Sequence, residues 1–380
     1  MNPCRRLAIF LMFTWVSGLS ISAPCTDTLE WQDWQQFKQN FITSEGRVVD
    51  PSSEAMVTTS EGQSYGLFFA LVDNDPNTFQ RLLNWTHTHL ARGDLSRHLP
   101  AWKWGKDAQG QWRVLDRNSA SDSDLWIAYN LLEAGRLWGI KQYTVEGVLL
   151  AQRILREETV FADQLGRVLL PASRGFEVGI EEWRLNPSYL PIQLIRRLAE
   201  IEIAPGWQAM IAPAVEIVLA ASPNGYSADW VNYSASKGFY FDADAVGSYG
   251  AIRVYLWAGM LDQEDPYRQR LLDTLRPMAK SIRRLGYPPE KINVRSLLQK
   301  GEGSSGFSAA LLPFLDALEL KALLAQQRDR INRNSPFEHA DNYYEQVLSL
   351  FGVGWMEGRF RFGPAGFLSP QWDDVCHDVN

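Results

Sequence analysis

Three cysteines and five histidines are few for a chain of 380 residues. Cys4 lies in the first few residues, which leaves Cys25 and Cys376, one near each end of the remaining chain. Neither a disulfide lattice nor a cysteine-rich metal site can be built from that pair. In an oxidising compartment the two could bond and tie the ends together; otherwise both stay free thiols. His87 and His89 are two apart, which on a helix places them on different faces. His98, His339 and His377 show no ligand spacing, so no metal and no cofactor is expected. A Walker loop, a Rossmann glycine signature and a Gly-x-Ser-x-Gly elbow are also missing, which argues against nucleotide chemistry and serine hydrolysis of the α/β type.

Positive charge is in deficit too, with 37 Lys and Arg against 44 Asp and Glu, for a net charge of −7. An acidic chain is a poor binder of nucleic acid and of polyanionic substrates. Long apolar runs are confined to the N-terminus. There Arg5 and Arg6 precede an apolar stretch from Leu7 to about Ile21, followed by Ser22 and Ala23. That order predicts a secretory signal over residues 1–23, too short for a membrane span, with a mature protein over 24–380 that is periplasmic or secreted. Losing Arg5 and Arg6 takes the net charge from −7 to −9. No Pro/Gly/Ser-rich linker divides the rest, so one domain is expected.

What is abundant is helical periodicity and aromatic side chains, including 15 Trp. Apolar spacing predicts about twelve helices, near 31–41, from about Glu61, 79–90, 125–138, 145–154, from Pro187, 206–220, 245–260, 267–284, 305–318, 319–332 and 342–357. Longer aromatic-rich segments at 93–119, 158–185, 221–244 and 285–304 interrupt them. The pattern is all-α and suits helix pairs wound into a ring, although periodicity alone does not define a barrel.

Three stretches carry candidate chemistry. In Thr58-Thr59-Ser60-Glu61-Gly62-Gln63-Ser64-Tyr65-Gly66, Thr58 and Glu61 have capping-box spacing, so Glu61 either holds the helix start or serves as an acid. Burial would raise a carboxyl pKa there and the helix N-terminus would lower it. Gly62 and Gly66 allow a second helix or a ligand to approach closely. In Ala120-Ser121-Asp122-Ser123-Asp124-Leu125-Trp126, the carboxylates sit in a first helical turn, where the dipole stabilises them. The helix that follows is apolar on several faces, so its start would aim a carboxylate into an interior cleft. In Gly247-Ser248-Tyr249-Gly250-Ala251-Ile252-Arg253, Arg253 is an isolated charge in an apolar run. It either pairs with Asp122 or Glu61 or reaches solvent at an edge. Trp102, Trp104 and Trp112 fall in a loop segment, where they either pack or offer platforms for sugar rings.

Together these stretches resemble glycoside hydrolase family 8, over essentially the whole mature chain, and Asn186-Pro187-Ser188-Tyr189 and Gly306-Phe307-Ser308-Ala309-Ala310 are similar to further family segments. The resemblance implies an (α/α)6 barrel, an inverting mechanism and a β-1,4-glucan substrate such as cellulose. It implies Glu61 as general acid and Asp122 as the aspartate that holds and distorts the sugar. It also implies Tyr249 positioning the attacking water, Arg253 fixing a carboxylate, and Trp102 and Tyr189 as platforms. The associated setting is cellulose synthesis and export, with the export complex as partner. Ser123 and Asn130 stand where the family has smaller residues.

One departure bears on turnover. Where the family places its general-base aspartate after the tyrosine, this chain has Gly250. Either the chain retains only glucan binding, or Asp242 or Asp244 substitutes, or Asp122 takes over. The expectation is impaired hydrolysis with retained binding. The alternative function is a non-catalytic glucan-binding component of an export assembly.

Overall fold

The computed structural model describes residues 30–243, 245–338 and 341–373. The signal segment, Cys25, Cys376, Asp244, His339 and His377 lie outside them. Among the described residues no helix is long and apolar enough to cross a membrane, and no group of three His, Cys, Asp or Glu side chains could hold a metal ion.

Six helices form an inner ring: Ser60–Val72, Ser121–Leu137, Ile192–Ala199, Ile252–Gly259, Ser305–Ala317 and Tyr343–Met356. Successive members pack against one another in chain order. The ring closes through Phe351, whose ring lies 5.3 Å from Phe68 and 4.7 Å from Phe69. Most of these helices are apolar on every side because they are surrounded on every side. Every residue of Ser60–Val72 except Glu61 is buried, as is Ser121 through Gly135. The helices of the outer ring, such as Pro76–His89 and Lys141–Glu157, bury one stripe and expose the other. This is an (α/α)6 barrel.

Several helix boundaries differ from periodicity, each for a local reason. Pro187 opens a short 3-10 turn, Pro187–Tyr189, and the α-helix begins only at Ile192, after Pro191. The run 267–284 is two helices, Arg268–Leu275 and Pro277–Leu285, because Pro277 has no N–H to continue the first. Residues 245–260 are helical only over Ile252–Gly259, since Val246–Gly247 pairs as a strand with Ile292 and Asn293.

The interrupting segments fold as antiparallel strands, which apolar periodicity did not reveal. Lys103–Lys106 pairs with Trp112–Asp116 and with Thr58–Thr59. Glu177–Gly179, Glu182–Leu185, Val231–Ser234 and Gly238–Tyr240 make a four-stranded sheet. Their placement matters for function. Thr58–Thr59, Trp112–Asp116, Glu182–Leu185, Val246–Gly247 and Gln299–Glu302 each precede the start of an inner helix. The strands therefore deliver the chain to the N-terminal ends of the inner ring, where the candidate residues lie.

Candidate active site

Glu61, Asp122 and Arg253 each sit in the first turn of an inner helix, on three different helices. The cap of the first helix is Thr59, whose side-chain oxygen accepts from the Gly62 amide at 3.0 Å. Thr58 is turned away, donating to the Val48 carbonyl at 2.6 Å and accepting from Arg47. Glu61 is thus released from capping, and its carboxylate accepts from Arg253 Nη1.

That same nitrogen reaches Asp122 Oδ2 at 3.2 Å and the Tyr65 hydroxyl at 2.7 Å. Arg253 Nη2 lies 3.3 Å from Ser188 Oγ, and the guanidinium lies 5.7 Å from the centre of the Tyr189 ring. Arg253 is buried, not at an edge. Its charge is held inside by two carboxylates, and each of those carboxylates leans on the same guanidinium.

Asp122 is pushed up to about 8, first by burial and then by the charge of Glu61, with Arg253 opposing and a side-chain hydrogen bond shared with Glu61. Two adjacent carboxyl groups on one cation hold a proton more tightly than either would alone. Behind them is a second buried acidic pair. Asp124 and Glu158 are both fully enclosed, with Ser119 Oγ donating to Glu158 at 2.5 Å. Burial raises both, Glu158 to about 8.

The glycines beside Glu61 serve helix packing. A β-carbon at Gly62 would lie 2.7 Å from the Tyr343 hydroxyl, and one at Gly66 would crowd Val48 and Leu82 at 3.2 and 3.3 Å.

Of the other expected residues, Trp102 is half-buried beside the acid helix, its carbonyl accepting from the Ser60 amide at 3.0 Å. Trp104 and Trp112 stack on each other at 5.0 Å with Arg47 over both rings. Tyr189 is half-buried against Arg253. Tyr249 turns outward: its ring packs edge-on to Phe307 at 5.1 Å and its hydroxyl approaches Glu290 at 3.4 Å. The Tyr344 hydroxyl donates to the Tyr249 carbonyl at 2.6 Å.

Gly250 is partly exposed at the start of the Ile252–Gly259 helix. Of the carboxylates expected to stand in for it, Asp242 is engaged elsewhere, accepting from Asn232 at 2.8 Å and lying 3.6 Å from Arg184. The acid that does lie beside Gly250 is Asp229, which accepts from the Ser248 amide at 3.0 Å and the Ala251 amide at 2.7 Å. Sequence reasoning passed over it. The available signal was an aspartate next to Trp230 in an aromatic-rich interruption, which is weak by itself.

The model of the glycosyl hydrolases family 8 matches residues 3–358. A protein named endoglucanase from Escherichia coli (strain K12) is 46% identical over 378 residues, covering 99% of each chain. One of the same name from Xanthomonas axonopodis pv. citri (strain 306) is 46% identical, covering 90% of this chain and 89% of its own. Among solved structures, the endo-1,4-D-glucanase from Vibrio fischeri ES114 is 47% identical with a TM-score of 0.87, covering 90% of this chain and 99% of that one.

Proposed function

The chain belongs to the glycosyl hydrolases of family 8 and is a glycoside hydrolase of the endoglucanase type; on that premise we propose that it cuts internal β-1,4 bonds of cellulose with inversion, during export of the newly made glucan. The single observation that supports this reading most is the Arg253-centred cluster, with Glu61 and Asp122 at the starts of two neighbouring inner helices.

In the proposed reaction Glu61, the more accessible of the two carboxyls at 25% side-chain exposure, donates its proton to the glycosidic oxygen. Asp122, buried at 3%, hydrogen-bonds the sugar on the acid side and helps to keep a proton on the pair. Arg253 and Tyr65 hold both carboxyls in place. Trp102 and Tyr189 offer ring faces to sugars on either side. Inversion requires a second carboxylate roughly 6.5–9.5 Å from the acid, across a water. Position 250 supplies none, so turnover is lower than in a chain with aspartate there.

The N-terminal segment supports a periplasmic or secreted location, with the cellulose export complex as partner. Following cellopentaose cleavage by proton NMR tests the reaction: an α-anomer appearing first at the new reducing end is expected, and a β-anomer first would overturn inversion. Gly250 favours one second reading, a glucan-binding component without turnover. Binding of cellopentaose with no release of reducing ends would establish that reading instead.

A further inference from the structure

Gly250 and Asp229 occupy one small region between them. A β-carbon at Gly250 would have Asp229 Oδ1 at 3.0 Å and Asp229 Cγ at 3.5 Å, and the nearest three atoms around it all belong to Asp229. The carboxylate that the sequence lacks at position 250 is thus present beside it, contributed by a residue 21 positions earlier.

Asp229 is held there from several directions. Its own amide donates to the Val246 carbonyl at 2.9 Å, and the preceding Ala228 amide donates to the Ala221 carbonyl at 2.9 Å. Oδ1 accepts from the Ser248 and Ala251 amides, at the start of the helix that carries Arg253. Among the described residues no side chain donates to it, and the residue remains partly exposed. Its charge acts on Arg253, which binds Glu61 and Asp122. The Tyr344 hydroxyl, which donates to the Tyr249 carbonyl beside Gly250, feels the charges of Arg253, Glu61, Asp229 and Asp122. Burial makes Asp229 more basic than an ordinary aspartate, against the pull of the amides that it accepts from.

We propose that Asp229 is the general base of this chain, accepting the proton of the attacking water in place of a carboxylate at position 250. The proposal rests on the hydrolase reading above. The water oxygen bonds to the anomeric carbon as one of its protons passes to Asp229. The bond from that carbon to the glycosidic oxygen breaks, its electron pair staying on the oxygen, which takes the proton of Glu61. Exchange with solvent then reprotonates Glu61 and deprotonates Asp229. Glycine at 250 leaves the approach to Asp229 open for that water.

The experiment is a cycle of four proteins: the chain as it is, Asp229→Asn, Gly250→Asp, and the double variant. Reducing-end release from cellopentaose, cellopentaose affinity and thermal midpoint are measured for each. Asparagine can still accept from the Ser248 and Ala251 amides but cannot take up the proton of water. The expected result is that Asp229→Asn lowers kcat at least about a hundredfold in the chain as it is, the size of losing a general base. In the Gly250→Asp background the same change costs less than about tenfold, and affinity moves little in either. Equal losses in both backgrounds would make Asp229 a helix cap only and overturn the proposal, as would an Asp229→Asn variant with unchanged kcat. A chain without turnover beside an active Gly250→Asp variant would refute Asp229 alone. Binding without turnover in all four would overturn the hydrolase reading itself.

Discussion

The two walls of the site are built on different principles. On the acid wall, Glu61, Asp122 and Tyr65 all converge on Arg253, a buried cation with several partners. On the other wall, no cation among the described residues forms an ion pair with Asp229. Backbone amides at a helix start hold it, and the neighbouring position is Gly250. The acid wall needs a proton kept on carboxyls at neutral pH, which burial and like charge provide. The other wall needs a carboxylate basic enough to take a proton from water, and burial raises Asp229 against the pull of the amides that it accepts from.

The comparison can be broken in several ways. The largest expected effect is on the acid wall: Glu61→Gln should lower kcat on soluble cellulose by about 10²–10⁴-fold, as loss of a general acid does, while cellopentaose still binds. A variant retaining more than a tenth of the activity would remove Glu61 from the reaction. Arg253→Met strips the common cation from both carboxylates. Leaving buried charges unpaired costs about 3–5 kcal/mol, so a large drop in thermal midpoint should accompany loss of activity. An unchanged midpoint would mean that the carboxyls simply bind protons once the cation is gone. On the other wall, Gly250→Asp should raise reducing-end release at least about tenfold, a fraction of the span open to a well-placed base. No gain would show that position 250 does not limit turnover.

The smallest effect expected is on pH dependence of stability. Asp122 and Glu158 are raised to about 8 and Asp124 is raised as well, all chiefly by burial. Between the ordinary carboxylate range and pH 8 the folded protein therefore holds protons that the unfolded chain has released. Their stabilising contribution is fully present on the acid side and is lost as pH rises towards 8. The thermal midpoint should fall between pH 5 and pH 8, and Asp124→Asn should flatten that slope. A midpoint that rises over the same interval would show these groups ionised in the fold.

Much of this was legible in residue order. Helical spacing located nearly all of the ring, and the isolated charge of Arg253 pointed to a buried partner on either Glu61 or Asp122; the structure gives it both. The misreadings have physical causes. Thr58 has capping spacing to Glu61, but strand pairing to Trp104 carries Thr58 away and gives the cap to Thr59. The short strands were hidden because two to five residues are too few for alternation to register against a helical background.

By itself the sequence determined the succession of helices, and for most of the inner ring the apolar residues on every side that burial on every side demands; Ile192–Ala199, which carries Arg196 and Arg197, departs from that pattern. It also determined that carboxylates open two of those inner helices and that no carboxylate stands at 250. Only the tertiary structure decided that three helix starts would share one guanidinium, and that Asp229 would come to rest against Gly250. Those meetings join residues tens to more than a hundred positions apart, and what sets them is how helices and hairpins close around a common axis, a property of the whole ring that no local stretch of chain contains.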